Sequence, residues 1–262
     1  MDLGIAGRTA LVLGGNRGIG LGIAKALAQE SANVVIAARD SERLAAAAAE
    51  LQAIAGRKVH SARIDLSETA KLADAVTHVV GMAGPIDILV NNTGGPAYGG
   101  ASQRPAEERR RRFDDMILSV ITVTDAVLPS MRARRWGRIL TVISSGVVQP
   151  IPVLGISNTL RASLAGWSKT LSNEVAADGV TVNIIVPGRI DTERVRQTDE
   201  AVAAAQNITV EEAARRSAAT IPVGRYGTVD EIGAVAAFLA SDRAGYVTGS
   251  MVRVDGGIVR SW

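Results

Sequence analysis

Short runs of apolar, mostly β-branched residues recur along the whole chain. They are TALVLGG (9–15), NVVIAAR (33–39), KVHSARID (58–65), IDILVNN (86–92), GRILTVIS (137–144) and TVNIIVPG (181–188). Each is followed by a longer stretch with helical spacing, such as GLGIAKALAQE (20–30), SERLAAAAAELQAIA (41–55) or TAKLADAVTHVVGMAG (69–84). Strands that are apolar on both faces and alternate with helices predict βαβ units and a parallel sheet covered on both sides. A further run, SMVRVDGG (250–257), follows the helix-like VDEIGAVAAFLAS (229–241) and predicts a seventh strand. No linker-like composition shift interrupts the series. The expected architecture is a doubly wound, Rossmann-like seven-stranded parallel α/β sheet in one domain, residues 1–262. One segment breaks the rhythm: about 189–221 is polar, charged and helix-prone with no strand of its own. It follows the carboxyl end of a strand, where such sheets bind ligands, and is expected to act as a lid.

Composition narrows the setting. With 47% hydrophobic residues, a chain of this length can bury a core without a metal or disulfide staple. Cysteine is absent, MDLGIAGRTALVLGG lacks the basic start of a secretory leader, and no uninterrupted apolar run promises a membrane span. A cytoplasmic protein that engages no membrane is expected. Arg109–Arg112 form a dense basic run behind Glu107 and Glu108. No aromatic residues interleave it, so it reads as a solvated helix face and nucleic acid is not an expected partner.

Candidate chemistry begins at the end of the first strand-like run. Gly14-Gly15-Asn16-Arg17-Gly18-Ile19-Gly20 leads straight into a helix-like stretch. Glycines let a backbone approach a pyrophosphate closely, and a helix amino terminus supplies free N–H groups and positive potential. The strand–loop–helix context predicts dinucleotide binding through Gly14, Asn16, Arg17, Gly18, Ile19 and Gly20. At the end of the second strand an acidic residue would bind ribose hydroxyls, but the chain has Ala38-Arg39. Arg17 and Arg39 together favour a phosphate on that ribose, hence NADP(H) over NAD(H). The alternative for Arg39 is an ion pair with Asp40 or Glu42.

The ordered set GGNRGIG, IDL (64–66), NNTG (91–94), a serine at the end of the fifth strand, PGRIDT (187–192) and VDGG (254–257) resembles the short-chain dehydrogenases/reductases over nearly the whole chain. The carboxyl-terminal part from TIPVGRYG onward is similar to 3-oxoacyl-carrier-protein reductase-like members. That resemblance implies that Asp65 and Leu66 flank the adenine and that Asn92 and Gly94 line the cofactor. It places Pro187, Gly188, Ile190 and Thr192 at the nicotinamide end. It also implies a homotetramer or homodimer, with segments 104–133 and 157–178 at the interface.

The family's usual catalytic set is a Tyr-x-x-x-Lys pair, a serine thirteen residues before the tyrosine and an asparagine on the preceding helix. Anchored on GRILTVIS and RASLAGWSKTL, the serine falls on Ser144. The tyrosine position falls on Ser157, the lysine position on Arg161 and the asparagine position on Met116. Ser144, Ser157 and Arg161 are therefore the catalytic candidates, and Arg161 also inherits the ribose contact. Arginine keeps a positive field but does not cycle a proton near neutrality, and a serine hydroxyl is a far weaker acid than a phenol. Tyr98, after NNTGGP, is a second candidate donor; His60, in a strand, and His78, in a helix, are read as structural or exposed. No metal cluster is expected. Two functions stay open: an NADP(H)-dependent oxidoreductase acting on a small carbonyl or alcohol through a remodelled proton donor, or a non-enzymatic NADP(H)-binding sensor or partner subunit.

Overall fold

The computed structural model describes residues 1–102 and 104–261. The predicted strands all form: β1 (Thr9–Leu13), β2 (Asn33–Ala38), β3 (His60–Arg63), β4 (Ile88–Asn92), β5 (Gly137–Val142), β6 (Val180–Pro187) and β7 (Met251–Val254). They make one seven-stranded sheet in the order β3-β2-β1-β4-β5-β6-β7, and every pairing is parallel. The order reverses between β1 and β4, the kind of position where open α/β sheets leave a crevice at their carboxyl ends.

Strand alternation splits the core into two layers. Ala10 and Val12 of β1 face α1 (Gly18–Gln29), α2 (Ser41–Ala55) and α9 (Val229–Leu239), where Ile23, Leu27, Leu44 and Ile232 are buried. Leu11 and Leu13 face the opposite way, toward α3 (Leu72–Ala83), α5 (Ser119–Ala133) and α6 (Gly155–Val175). α1 and α9 cross at two glycines. A Cβ on Gly22 would sit 2.7 Å from the Val229 carbonyl oxygen, and one on Gly233 would sit 2.6 Å from that of Gly22. The start of α9 is secured by a capping box in which Thr228 and Glu231 satisfy each other's backbone N–H groups.

α4 (Ala106–Phe113) runs into α5 through a π-helical turn, Asp114–Leu118. This corrects one expectation, because the continuous helix Ala106–Ala133 is long and apolar enough to cross a membrane by length and composition. Its apolar face is instead committed to the sheet: Val120, Val123, Val127 and Met131 are all buried against it. The basic run lies on α4, where Arg112 pairs with Asp115 and Arg109 donates to the Ala101 carbonyl. Segment 189–221 folds into α7 (Glu193–Gln206) and α8 (Val210–Ala218), joined at Asn207 in the left-handed region that ends α7.

Candidate active site

The glycine turn after β1 is a cradle that side chains would fill. Gly14 has φ +61°, and a Cβ there would lie 2.7 Å from the Asn92 amide nitrogen. A Cβ on Gly20 would collide with the Gly14 carbonyl oxygen. Arg17 stands at the helix start in extended conformation, no side chain caps α1 and no acid lies in its first turn. The free N–H groups and positive end of α1 are thus presented to the crevice. Just past β4, Thr93 is buried and its hydroxyl has no hydrogen-bond partner among the described residues. An uncapped helix terminus behind a tight glycine turn fits an anionic group such as a dinucleotide.

The other predicted cofactor residues differ in what their side chains and backbone contact. Asn92 donates to the carbonyls of Leu13 (3.2 Å) and Gly14 (3.4 Å), so its amide holds the glycine turn in shape. Asp65 accepts from the Ser67 N–H and hydroxyl, and these bonds, aided by Arg39 and Arg63, hold its carboxyl below the usual range. Leu66 packs on the core edge beside it. Gly188 lets the chain pass Asp255, whose Cα would be 2.7 Å from an added Cβ. Ile190 is buried and pairs with Gly227. Thr192 begins α7 and lies over Gly18, its methyl 3.5 Å from a Cβ built there. Nothing stands within 4 Å of a Cβ built on Gly94, so that face of the crevice is open.

Ser144 ends the run from β5. Its Oγ accepts from the Gly146 N–H at 3.1 Å, which leaves the hydroxyl proton free to be donated. Ser157 and Arg161 share the buried face of α6, at 6% and 8% exposure. The Arg161 guanidinium donates to the Val142 carbonyl at 2.9 Å and the Thr93 carbonyl at 3.3 Å, the carboxyl ends of β5 and β4. No carboxylate pairs with it among the described residues. Burial, with the charge of Arg194 adding to it, pulls its pKa down to about 10, so it stays protonated at neutrality. Met116 is 1% exposed and packs with Ile143, Leu164 and Ile184 inside the π-turn.

α7 is fastened to the loop after β4. Arg194 donates to the Pro96 carbonyl at 2.7 Å and stacks on the Tyr98 ring, 4.6 Å from its centroid. The Tyr98 hydroxyl bonds Thr198 on α7, so it is engaged with that helix. Val153, just before α6, has φ +61°, strained for a β-branched residue, and its carbonyl accepts from the Gly99 N–H. Glu193, Arg194, Arg43 and Thr93 were not singled out from the sequence. The return of α7 to the glycine turn is what brings Glu193 to Arg17 and Arg43 and Arg194 to Pro96.

Residues 14–259 match the family described as enoyl-(acyl carrier protein) reductases. The chain belongs to the short-chain dehydrogenase/reductase family. Its relatives include D-β-hydroxybutyrate dehydrogenase of Cupriavidus necator, 36% identical over 97% of this chain and 98% of that one. The 3-oxoacyl-(acyl-carrier-protein) reductase of Escherichia coli is 34% identical over 96% and 97%. Among solved structures, L-sorbose reductase from Gluconobacter frateurii, in complex with NADPH and L-sorbose, superposes with a TM-score of 0.95 at 32% identity, covering 100% of both chains. Short-chain dehydrogenase/reductase likeness therefore spans the cofactor crevice and the α6 region alike, and the family's chemistry is oxidoreduction between carbonyls and alcohols.

Proposed function

We propose that this protein is an NADP(H)-dependent oxidoreductase that interconverts a small-molecule carbonyl and alcohol with a remodelled proton donor. The observation that carries the reading is Arg161. It is a buried cation with no carboxylate partner among the described residues, anchored on the carbonyls at the ends of β5 and β4. NADP(H) would lie along Gly14–Gly20, with its phosphate-bearing ribose toward Arg17 and the end of β2, where the strand closes on Ala38-Arg39 and not on an acid. Asp65 and Leu66 would border the adenine, while Asn92 positions the turn. Gly94, Pro187, Gly188, Ile190 and Thr192 would enclose the nicotinamide end. Relatives crystallised with NADPH, the sorbose reductase and an actinorhodin polyketide ketoreductase, support this cofactor choice.

When bound, NADP(H) supplies the hydride. Ser144, with its oxygen already accepting from Gly146, would donate a hydrogen bond to the substrate oxygen without giving up its proton. Arg161 holds a fixed positive field under the charge that develops there. Ser157 offers a small hydroxyl where the family carries a phenol, and it relays a proton from water and does not act as a strong acid itself. α7 acts as the lid. The reading includes a cytoplasmic setting and a homodimer or homotetramer, with Phe113 and Leu118 as exposed apolar residues on the interface segment.

The test is NADPH oxidation by the purified protein across a panel of ketones and 3-oxoacyl thioesters, beside Ser144→Ala. Turnover in the parent should fall about 10²-fold in the variant while NADPH affinity holds. Tight NADPH binding with no turnover on any substrate favours the second reading, a sensor or partner subunit. The joint replacement at Met116, Ser157 and Arg161 is what supports that alternative.

A further inference from the structure

Two guanidinium groups hold the stretch Thr93-Gly94-Gly95-Pro96 by its two ends. Arg161, buried on α6, donates to the Thr93 carbonyl at 3.3 Å, and Arg194, exposed on α7, donates to the Pro96 carbonyl at 2.7 Å. A Cβ built on Gly95 would lie 3.7 Å from Arg194 Nη2, and one built on Gly94 would meet nothing within 4 Å. Neither guanidinium has an ion-pair partner among the described residues. The acids of α7 and its entry are taken by other groups: Asp191 by Arg196, Glu193 by Arg17 and Arg43, and Asp199 by the Tyr226 hydroxyl. Burial, and then the charge of Arg194, lowers the Arg161 pKa, so the two cations feel each other across this turn. Like charges gathered without a counter-charge cost free energy that an incoming anion recovers. Arg161 also grips the Val142 carbonyl, and Ser144 stands two residues further on, about 7 Å of extended chain. The pair of cations and the Ser144 hydroxyl can therefore serve two ends of one small molecule.

We propose that the substrate is a short-chain oxo acid and the product the matching hydroxy acid, with the carboxylate received by Arg194, the field of Arg161 behind it, and the carbonyl oxygen held at Ser144. The proposal rests on the oxidoreductase reading above and names its substrate class. A neutral ribose hydroxyl bonds a guanidinium without cancelling its charge, so contact with the cofactor by itself leaves the two cations unmatched. A carboxylate matches them. In the reductive direction the carbonyl carbon gains the hydride and its oxygen gains the proton, while the cofactor is oxidised. The carboxylate is unchanged and serves as the handle that orients the carbonyl.

Two measurements test this in the parent, Arg194→Gln and Arg194→Lys: steady-state NADPH oxidation with 2-, 3- and 4-oxo acids beside their methyl esters, and calorimetric binding of the hydroxy acids to the NADPH-loaded protein. The parent should prefer at least one acid over its ester by about tenfold or more, the worth of one charge-assisted hydrogen bond. In Arg194→Gln that preference should collapse through a raised KM for the acid, with the ester affected far less, and Arg194→Lys should recover part of it. Hydroxy-acid affinity should fall by a similar factor in Arg194→Gln, a readout that does not depend on turnover. Equal loss on acid and ester would mean that Arg194 only fastens α7 to Pro96, and would overturn the proposal. A parent that reduces the esters as readily as the acids overturns it too and leaves the oxidoreductase reading standing. Hydroxy-acid binding that Arg194→Gln abolishes, with no turnover of acid or ester, keeps the carboxylate seat and overturns the oxidoreductase reading. A parent that neither binds hydroxy acids nor turns over any compound overturns both.

Discussion

Two arginines are buried at opposite ends of the same sheet, and their surroundings differ in kind. Arg138, at the amino end of β5, donates to the carbonyls of Ser241, Gly137 and Gly179, and its guanidinium stacks on Trp136 at 4.4 Å. Asp242 lies 3.8 Å away and itself accepts from the Trp136 indole. Arg161, at the carboxyl end, has two carbonyls, no acid among the described residues, and Arg194 as a like-charged neighbour. Burial lowers both pKa values, but only at Arg138 does a carboxylate push back. A structural charge is matched by the fold around it. The charge at Arg161 has no such match among the described residues, and perturbed buried charges of that kind cluster at functional sites.

The widest test of this contrast is to give the α6 site what the family usually carries. Ser157→Tyr/Arg161→Lys should raise turnover by about 10²–10⁴-fold on any ketone the parent accepts, the usual contribution of a positioned general acid. A steady-state assay showing no gain would mean that the proton comes from a group other than residue 157.

Stability separates the two arginines next. Arg138→Met strips a buried, paired guanidinium from three carbonyls and an indole, and should cost about 3 kcal/mol in urea unfolding. Arg161→Met removes an uncompensated buried charge, so the cofactor-free protein should change by less than about 1 kcal/mol, in either direction. The same variant should lose NADPH-induced stabilisation. Equal destabilisation by both substitutions would break the comparison.

The smallest expected effect is with pH. Arg161, at about 10 in the fold and so below the ordinary guanidinium range, is protonated in both folded and unfolded chains at neutrality. Between that value and that range the unfolded chain binds more protons, so stability attributable to this group rises with pH there and is flat below it. The stability difference between parent and Arg161→Met should therefore be constant from about pH 6 to 9. A slope in that window would assign the titration to another group. Glu231 behaves oppositely: Arg225 first, then the Thr228 backbone, hold its carboxyl at about 2. Its contribution to the start of α9 is present above the ordinary glutamate range and should fade as pH drops through about 2. Thermal unfolding of the parent and Glu231→Gln, compared from neutral to acid pH, should converge.

Much of this molecule was readable along the chain because it rests on local repetition. Apolar runs such as ILVNN and TVNIIVP can only be satisfied by burial on both faces. The turn at Gly14–Gly20 needs glycine because Asn92 and the backbone of Gly14 leave no room for a Cβ. Ser144, Ser157 and Arg161 were reached by setting the family's catalytic spacing on two adjacent stretches, and the structure puts Ser144 two residues past β5 and the other two on α6. Arg43, Glu193, Arg194 and Thr93 were not reached, since each is unremarkable among its own neighbours. Arg43 looks like a helix-surface residue beside Asp40, and Glu193 like an acid in the first turn of a helix.

Sequence alone determined the order of strands and helices, the glycine turn and the absence of an acid at the end of β2. These depend on periodicity, on steric need for glycine and on residue identity at one position. Tertiary structure decided which arginine joins Arg17, which carboxylate answers them, and that the buried face of α6 carries an unmatched cation. Those are relations between side chains 150 or more positions apart, Arg17 and Arg43 against Glu193. Electrostatic pairing acts across space, and no local pattern in the chain encodes the distance at which α7 comes back to the phosphate turn.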